Sequence, residues 1–165
     1  MTIERFRDDY FFLSSMFPLE KGVEGPGGVV VPSVEHAYQA EKFEDPNLQA
    51  EIMDTTDGFE AKRMARRLEK SGHEKRPDWD ERKVDIMRGY VHQKFKRDPD
   101  LQQQLLNTGQ EEIVEGNNRN DTFWGVCPIG SRNGHNYLGR ILMETREELT
   151  HVEQEASQPD PANQS

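Results

Sequence analysis

A single cysteine, Cys127, stands in 165 residues, which excludes an internal disulfide and removes thiolate metal clusters. Its solitude points to a reducing, intracellular setting. Apolar residues are scarce, at 33%, and no stretch approaches the roughly 20 consecutive apolar residues that span a bilayer. Met1-Thr2-Ile3-Glu4-Arg5 is not followed by the apolar run of a secretory leader. These absences predict a soluble, cytoplasmic protein. His36, His73, His92, His135 and His151 are scattered without metal-ligand spacing, so no metal is expected. There is no P-loop and no G-x-G-x-x-G after a strand, and no cofactor is expected. Cys127 with His135 is a conceivable nucleophile and base, but no oxyanion element accompanies them; a semi-buried thiol is the simpler reading.

Positive charge is also in deficit: 21 Lys and Arg against 31 Asp and Glu leave a net charge of −10. A binder that tracks phosphates along a nucleic acid is expected to be basic. The balance favours a compact ligand or one locally held nucleotide, with DNA left open as its carrier. Against it stands one dense basic group, Lys62, Arg63, Arg66 and Arg67. On a helix these form either a solvated face or a ridge whose guanidinium forks suit a phosphate or diphosphate.

The length suits one domain with a modest core. Residues 2–6 read as a short strand, and Leu19 to Val23 pairs with Val29 to Val31 as a hairpin around Gly25-Pro26-Gly27-Gly28. Ser33 after Pro32 is an N-cap that starts a helix at Val34. Asp45-Pro46 starts a second helix, and Asp57 with Glu60 is a capping-box-like start for a third. Val84, Met87, Val91 and Phe95 keep helical period in a longer helix over 79–95, and Asp98-Pro99 opens another. Ile113-Val114 reads as a late strand, 117–134 as a polar loop, and 136–150 as the last helix. Residues 1–150 are expected to form one domain; 151–165, polar and carrying Pro159 and Pro161, read as a disordered tail.

At about 100° per residue, Glu35, Gln39 and Lys42 fall on one helical stripe. A carboxylate, an amide and an amine in a row is either a solvated face or a chemical toolkit. Trp79 and Trp124 are core residues or platforms that stack a ring. Asp121 either makes an Asx-type turn or offers a carboxylate to ribose hydroxyls.

Glu35-His36, Gln39 and Lys42-Phe43 resemble the E-H-x-x-Q-x-x-K-F core of the NADAR family, the YbiA-like N-glycosidases. Phe12-Leu13-Ser14-Ser15-Met16-Phe17 resembles that family's F-L-S-N-F segment, with Ser15 and the inserted Met16 as departures. Ala61 to Arg66 resembles its A-x-R-x-G-R segment, with Ala65 in place of Gly. Pro77-Asp78-Trp79, Asn120 to Gly125 and Asn136-Tyr137-Leu138-Gly139 resemble later blocks, in order, so the likeness runs from about Phe6 to Leu149.

The resemblance implies a helix-rich α+β domain with a small antiparallel sheet, and hydrolysis of an N-glycosidic bond between a phosphorylated ribose and a base or amine. The implied substrates are ADP-ribose attached to guanine, free or on DNA, and phosphorylated intermediates of riboflavin biosynthesis. Carried onto this chain, the motifs make Glu35, Lys42 and Asp121 the expected catalytic residues. His36, Gln39, Arg63, Arg66, Trp79, Trp124 and Asn136 are expected to bind substrate. Two routes stay open: Lys42 as an imine-forming nucleophile, or Glu35 activating water beside a cationic ribose carbon. The competing class is a NADAR-like module that binds ADP-ribose or a nucleotide without cleaving it. A protein-interaction role for the acidic surface is the third.

Overall fold

Pro32 and Ser33 open a helix where their residue types predict one. In the computed structural model, which describes residues 1–158, helix α1 runs Val34–Ala40 and the Ser33 hydroxyl accepts from the His36 amide at 3.2 Å. Helix α1 ends sooner than its stripe predicts. Lys42 and Phe43 donate to the carbonyls of Gln39 and Ala40 in tightened three-residue turns, which send the Phe43 ring into the core.

The chain forms two compact units: Phe6–Leu101, and Met1–Arg5 together with Gln102 onward. In the first, every residue of α1 is buried, and the helix packs against α2 (Pro46–Met53), α3 (Gly58–Lys70) and α4 (Trp79–Arg97). Ala40, Ala61 and Ala65 let the backbones of α1 and α3 approach, with Phe43, Ile52 and Leu68 filling the space around them. The Asp45 and Asp57 caps form, accepting from the amides of Asn47 and Glu60 at 2.9 Å each. Strand β2 (Val23–Glu24) pairs antiparallel with β3 (Val30–Val31), Val23 opposite Val31, across the predicted Gly-Pro-Gly-Gly turn.

In the second unit, β1 (Thr2–Ile3) lies parallel to β4 (Glu112–Ile113), Ile3 opposite Ile113. The expected small antiparallel sheet is therefore one of two ladders among the described residues, the other being parallel. Helix α5 (Pro99–Asn107), whose first three residues belong to the first unit, precedes β4, and α6 (Tyr137–Ser157) packs on β4 and buries Leu138, Ile141 and Leu142. A Cβ at Gly139 would meet the Ile113 carbonyl, so only glycine admits this approach.

Helix α6 continues past Thr150, so residues 151–157, assigned to the tail from sequence, are helical. Its end has a local cause: Gln158 precedes Pro159, which disfavours a helical residue before it, and Gln158 is extended at φ −75°, ψ 133°. The rest of the expected tail, 159–165, lies outside the described residues. Among the described residues, no helix is long and apolar enough to cross a membrane, and no three His, Cys, Asp or Glu side chains group as a metal site. The helix-rich α+β class matches the expectation.

Candidate active site

Glu35 sits in the first turn of α1, yet it is only 5% exposed. Burial of a carboxylate demands donors, and it has two from side chains. The Ser15 hydroxyl donates to Oε2 at 2.7 Å and Gln39 Nε2 to Oε1 at 2.6 Å. The spacing of four residues puts Gln39 one turn below Glu35, as the stripe predicts. Ser15 also takes the Glu35 amide proton on its carbonyl at 3.0 Å, so the carboxylate and its backbone are gripped from the same residue. Each oxygen carries one side-chain donor and keeps acceptor capacity. Gln39 Oε1 is buried without a hydrogen-bond partner among the described residues.

Lys42, just past α1, points its ammonium toward α3 and α4. Nζ lies 3.7 Å from Glu69 Oε1 and 6.0 Å from the centre of the Trp79 ring. Burial pulls its pKa below the ordinary lysine value, against the opposing pull of the Glu69 and Glu35 carboxylates; Lys75 and Lys62 push it further down. A buried lysine whose pKa is lowered, within the field of Glu35, is the chemical feature that sets this place apart from a solvated charge stripe. Glu69 and Trp79 also line a cleft of about 420 Å³ with His73, Lys75, Arg76 and Asp80.

Other expected site residues divide sharply. His36 is fully buried; its Nε2 lies 3.0 Å from the Thr55 carbonyl and its Nδ1 2.6 Å from Ser33 Oγ. A carbonyl accepts only, so the proton sits on Nε2 and Nδ1 accepts from Ser33. Both nitrogens are occupied, and His36 ties α1 to the turn before α3. Trp79 is 4% exposed and packs on Tyr38, ring centres 5.0 Å apart, presenting to Lys42 only the ring face nearest its amine. Arg63 is exposed and pairs with Glu60 at 2.6 Å. Arg66 is exposed as well, and at helical spacing it shares a stripe with Lys62 and Glu69, whose charges act on Lys42.

Asp121, Trp124 and Asn136 belong to the second unit. Asp121 Oδ1 accepts from the amides of Phe123 and Trp124 at 3.1 and 2.9 Å, the Asx-type turn. Trp124 is half-buried, its ring edge-on to Phe123 at 4.9 Å. Asn136, left-handed at φ 52°, donates to the Ile113 carbonyl and accepts from the Glu115 amide, both at 2.9 Å. Its amide thus stitches the start of α6 to β4.

Sequence reasoning missed Glu69, whose signal was its place seven residues after Lys62 on one helical face. It also missed Lys94, a lone cation on the apolar stripe of Met87 and Val91.

A NADAR domain model matches residues 4–150. A riboflavin biosynthesis protein from Vibrio vulnificus is 39% identical over 142 residues, 86% of this chain and 36% of that protein. The chain thus spans about a third of that relative's length. The N-glycosidase YbiA of Escherichia coli is 34% identical over 142 residues, 86% of this chain and 83% of that protein. Among solved structures, E. coli YbiA superposes with a TM-score of 0.76 at 29% identity, covering 98% of this chain and 89% of that one.

Proposed function

The chain belongs to the NADAR family, and from that premise we propose that it is an N-glycosidase acting on a phosphorylated ribose joined to a base or amine nitrogen. The observation that carries the reading is a carboxylate gripped by Ser15 and Gln39 beside a lysine whose burial favours its neutral form. The name of the YbiA relative supports the reaction class.

The chemistry runs through Lys42. The ribose ring opens, its ring oxygen takes a proton, and C1 is left double-bonded to the base nitrogen. Neutral Lys42 adds to C1, the base leaves as the free amine with a proton, and a Lys42–C1 imine remains. Water then adds, releasing the sugar as its aldehyde and restoring the amine. Glu35 holds and returns the protons and offsets the positive charge on C1. This route needs a leaving nitrogen that bears hydrogen, as the amino group of guanine does.

The favoured substrate is ADP-ribose on guanine. Lys62, Arg63, Arg66 and Arg67 put four cations within two turns of α3, more than one phosphate requires and suited to a diphosphate. A second reading, phosphorylated riboflavin-pathway intermediates, draws support from the names of the Vibrio relative and of a chloroplastic riboflavin biosynthesis protein from Zea mays.

The test is cleavage of the ribose–nitrogen bond in ADP-ribosylguanosine (freeing guanosine and ADP-ribose), in ADP-ribosylated oligonucleotide (freeing ADP-ribose) and in the phosphorylated riboflavin intermediate (freeing its base), by wild type and Glu35→Gln. Wild type should cleave the first at the greatest kcat/KM. Glu35→Gln should fold normally and lose about 10²-fold or more in kcat, the scale of a lost acid–base group. Binding of all three without release would identify a non-catalytic module, and near-normal turnover by Glu35→Gln would remove Glu35 from the chemistry.

A further inference from the structure

Lys94 is 2% exposed on α4, and no acidic side chain pairs with it among the described residues. It occupies a core position, seven residues after Met87 and three after Val91, both buried. A buried amine without an acid partner is costly, and methionine would fill the same space without that cost. What Lys94 does with its hydrogens accounts for it. Nζ donates to the Phe12 carbonyl at 2.6 Å and to the Ser14 carbonyl at 3.0 Å, while Phe17 turns its ring toward the same amine, 5.7 Å from the ring centre. Two carbonyls match the two N–H donors of a neutral amine, and burial brings the Lys94 pKa down to about 7.

Those carbonyls bracket the end of the 3₁₀ turn over Asp8–Leu13, just before Ser15. The Ser14 carbonyl belongs to the peptide group that begins Ser15, so fixing that plane fixes where Ser15 points. Among the described residues, Ser15 makes two hydrogen bonds, both to Glu35: its carbonyl takes the Glu35 amide proton, and its hydroxyl donates to Glu35 Oε2. The chain of contacts runs Lys94, Ser14–Ser15 peptide, Ser15 hydroxyl, Glu35 carboxylate. The Ser15 segment lies outside any helix or strand until β2 and is held by a short turn in which the Ser14 carbonyl also accepts from the Phe17 amide at 3.2 Å and Ser14 Oγ from the Met16 amide at 3.1 Å, so Lys94 is the side chain that adds a fixed donor to that turn.

We infer that Lys94 is a positioning residue of the Glu35 site, setting the carboxylate's orientation through the Ser14–Ser15 peptide. The inference rests on the reading of Glu35 as a group of the reaction. A residue of this kind acts on turnover more than on substrate binding, and it acts through one intermediary.

A double-mutant cycle on kcat and KM tests both properties, in variants whose folding is checked by circular dichroism. Lys94→Met and Ser15→Ala should each lower kcat by about tenfold or more, the scale of a misplaced reacting group, with KM changed far less. The double variant should be no worse than the poorer single, because the second change removes a link already broken. Lys94→Gln, which keeps an NH₂ able to reach a carbonyl, should recover part of the loss; it also stands in for Lys94→Met in the cycle should that variant fail to fold. Losses that multiply in the double variant, or an unchanged kcat in folded Lys94→Met, overturn the inference. If Glu35→Gln is inactive while the cycle multiplies, only Lys94's role falls; if Glu35→Gln is fully active, the reading of the site falls with it.

Discussion

Two amines in this protein are drawn below the ordinary lysine pKa, and their surroundings separate their roles. Lys42 keeps carboxylates in its field, at Glu69 and Glu35, and retains some exposure; Lys94 is buried among carbonyls and the Phe17 and Phe95 rings, with no carboxylate paired to it among the described residues. A reacting amine needs access and a route for protons, which only Lys42 has. Lys94 has a consequence for stability instead. Its folded pKa, about 7, lies below the unfolded value of 10.5. Below about pH 7 the fold must hold a buried charge, and the destabilisation is complete; between the two values the unfolded chain binds more protons, so stability rises with pH. Unfolding free energies from urea titrations at pH 7 and pH 9 should differ by about 1–3 kcal/mol more in the parent than in Lys94→Met, at 1.36 kcal/mol per pKa unit. Lys42 contributes in the same direction, so the comparison with Lys94→Met isolates the buried amine. Equal pH dependence in the two proteins would show that Lys94 is charged in the fold.

At the scale of elements, α1 carries the site because α3 can come close to it. A Cβ on Gly58, the first residue of α3, would lie 3.0 Å from Met16 Sδ, 3.2 Å from Met16 Cα and 3.2 Å from Glu35 Cβ. The Met16 sulfur can move, but its backbone and Glu35 cannot do so independently of Ser15. Gly58→Ala should therefore cost about 1–2 kcal/mol of stability by overpacking, and lower kcat more than a loss of that size in a remote part of the core. Thermal melts with kcat, set beside a remote core variant matched in stability, would check this; a melting change without a kcat change would detach Gly58 from the site. The helices were largely legible, because caps at Ser33, Asp45 and Asp57 and the apolar period of α4 are local signals. Glu35, Gln39 and Lys42 were legible as a stripe, but not their burial, which depends on three helices surrounding α1. The β1–β4 pairing was not legible, since two-residue strands joined across more than a hundred residues leave no periodic trace. The hydrogen bonds of His36 and Asn136 were not legible either, because a motif marks a polar residue as fixed in place without naming the backbone groups it holds.

At the scale of the molecule, the net charge of −10 coexists with the cationic ridge on α3. If ADP-ribose on guanine is the substrate, a single modified nucleotide meets the ridge, whereas a long nucleic acid also meets the acidic remainder. The kcat/KM for ADP-ribosylguanosine should exceed that for an ADP-ribosylated oligonucleotide at low salt. Raising ionic strength should narrow the gap, because screening beyond about 8–10 Å weakens the distant repulsion first. A preference for the oligonucleotide that decays with salt would instead reveal a basic track for the strand. The central claim, that Lys42 is the amine that takes the sugar, has a direct measurement. Borohydride added during turnover should leave a covalent adduct on Lys42 with the mass of the ring-opened sugar part and without its base. Lys42→Arg, which keeps the charge but stays protonated, should lose adduct and activity together. Turnover in the parent with nothing trapped, and a Lys42→Arg variant that keeps much of its activity, would contradict the account and hand the chemistry to Glu35 and water.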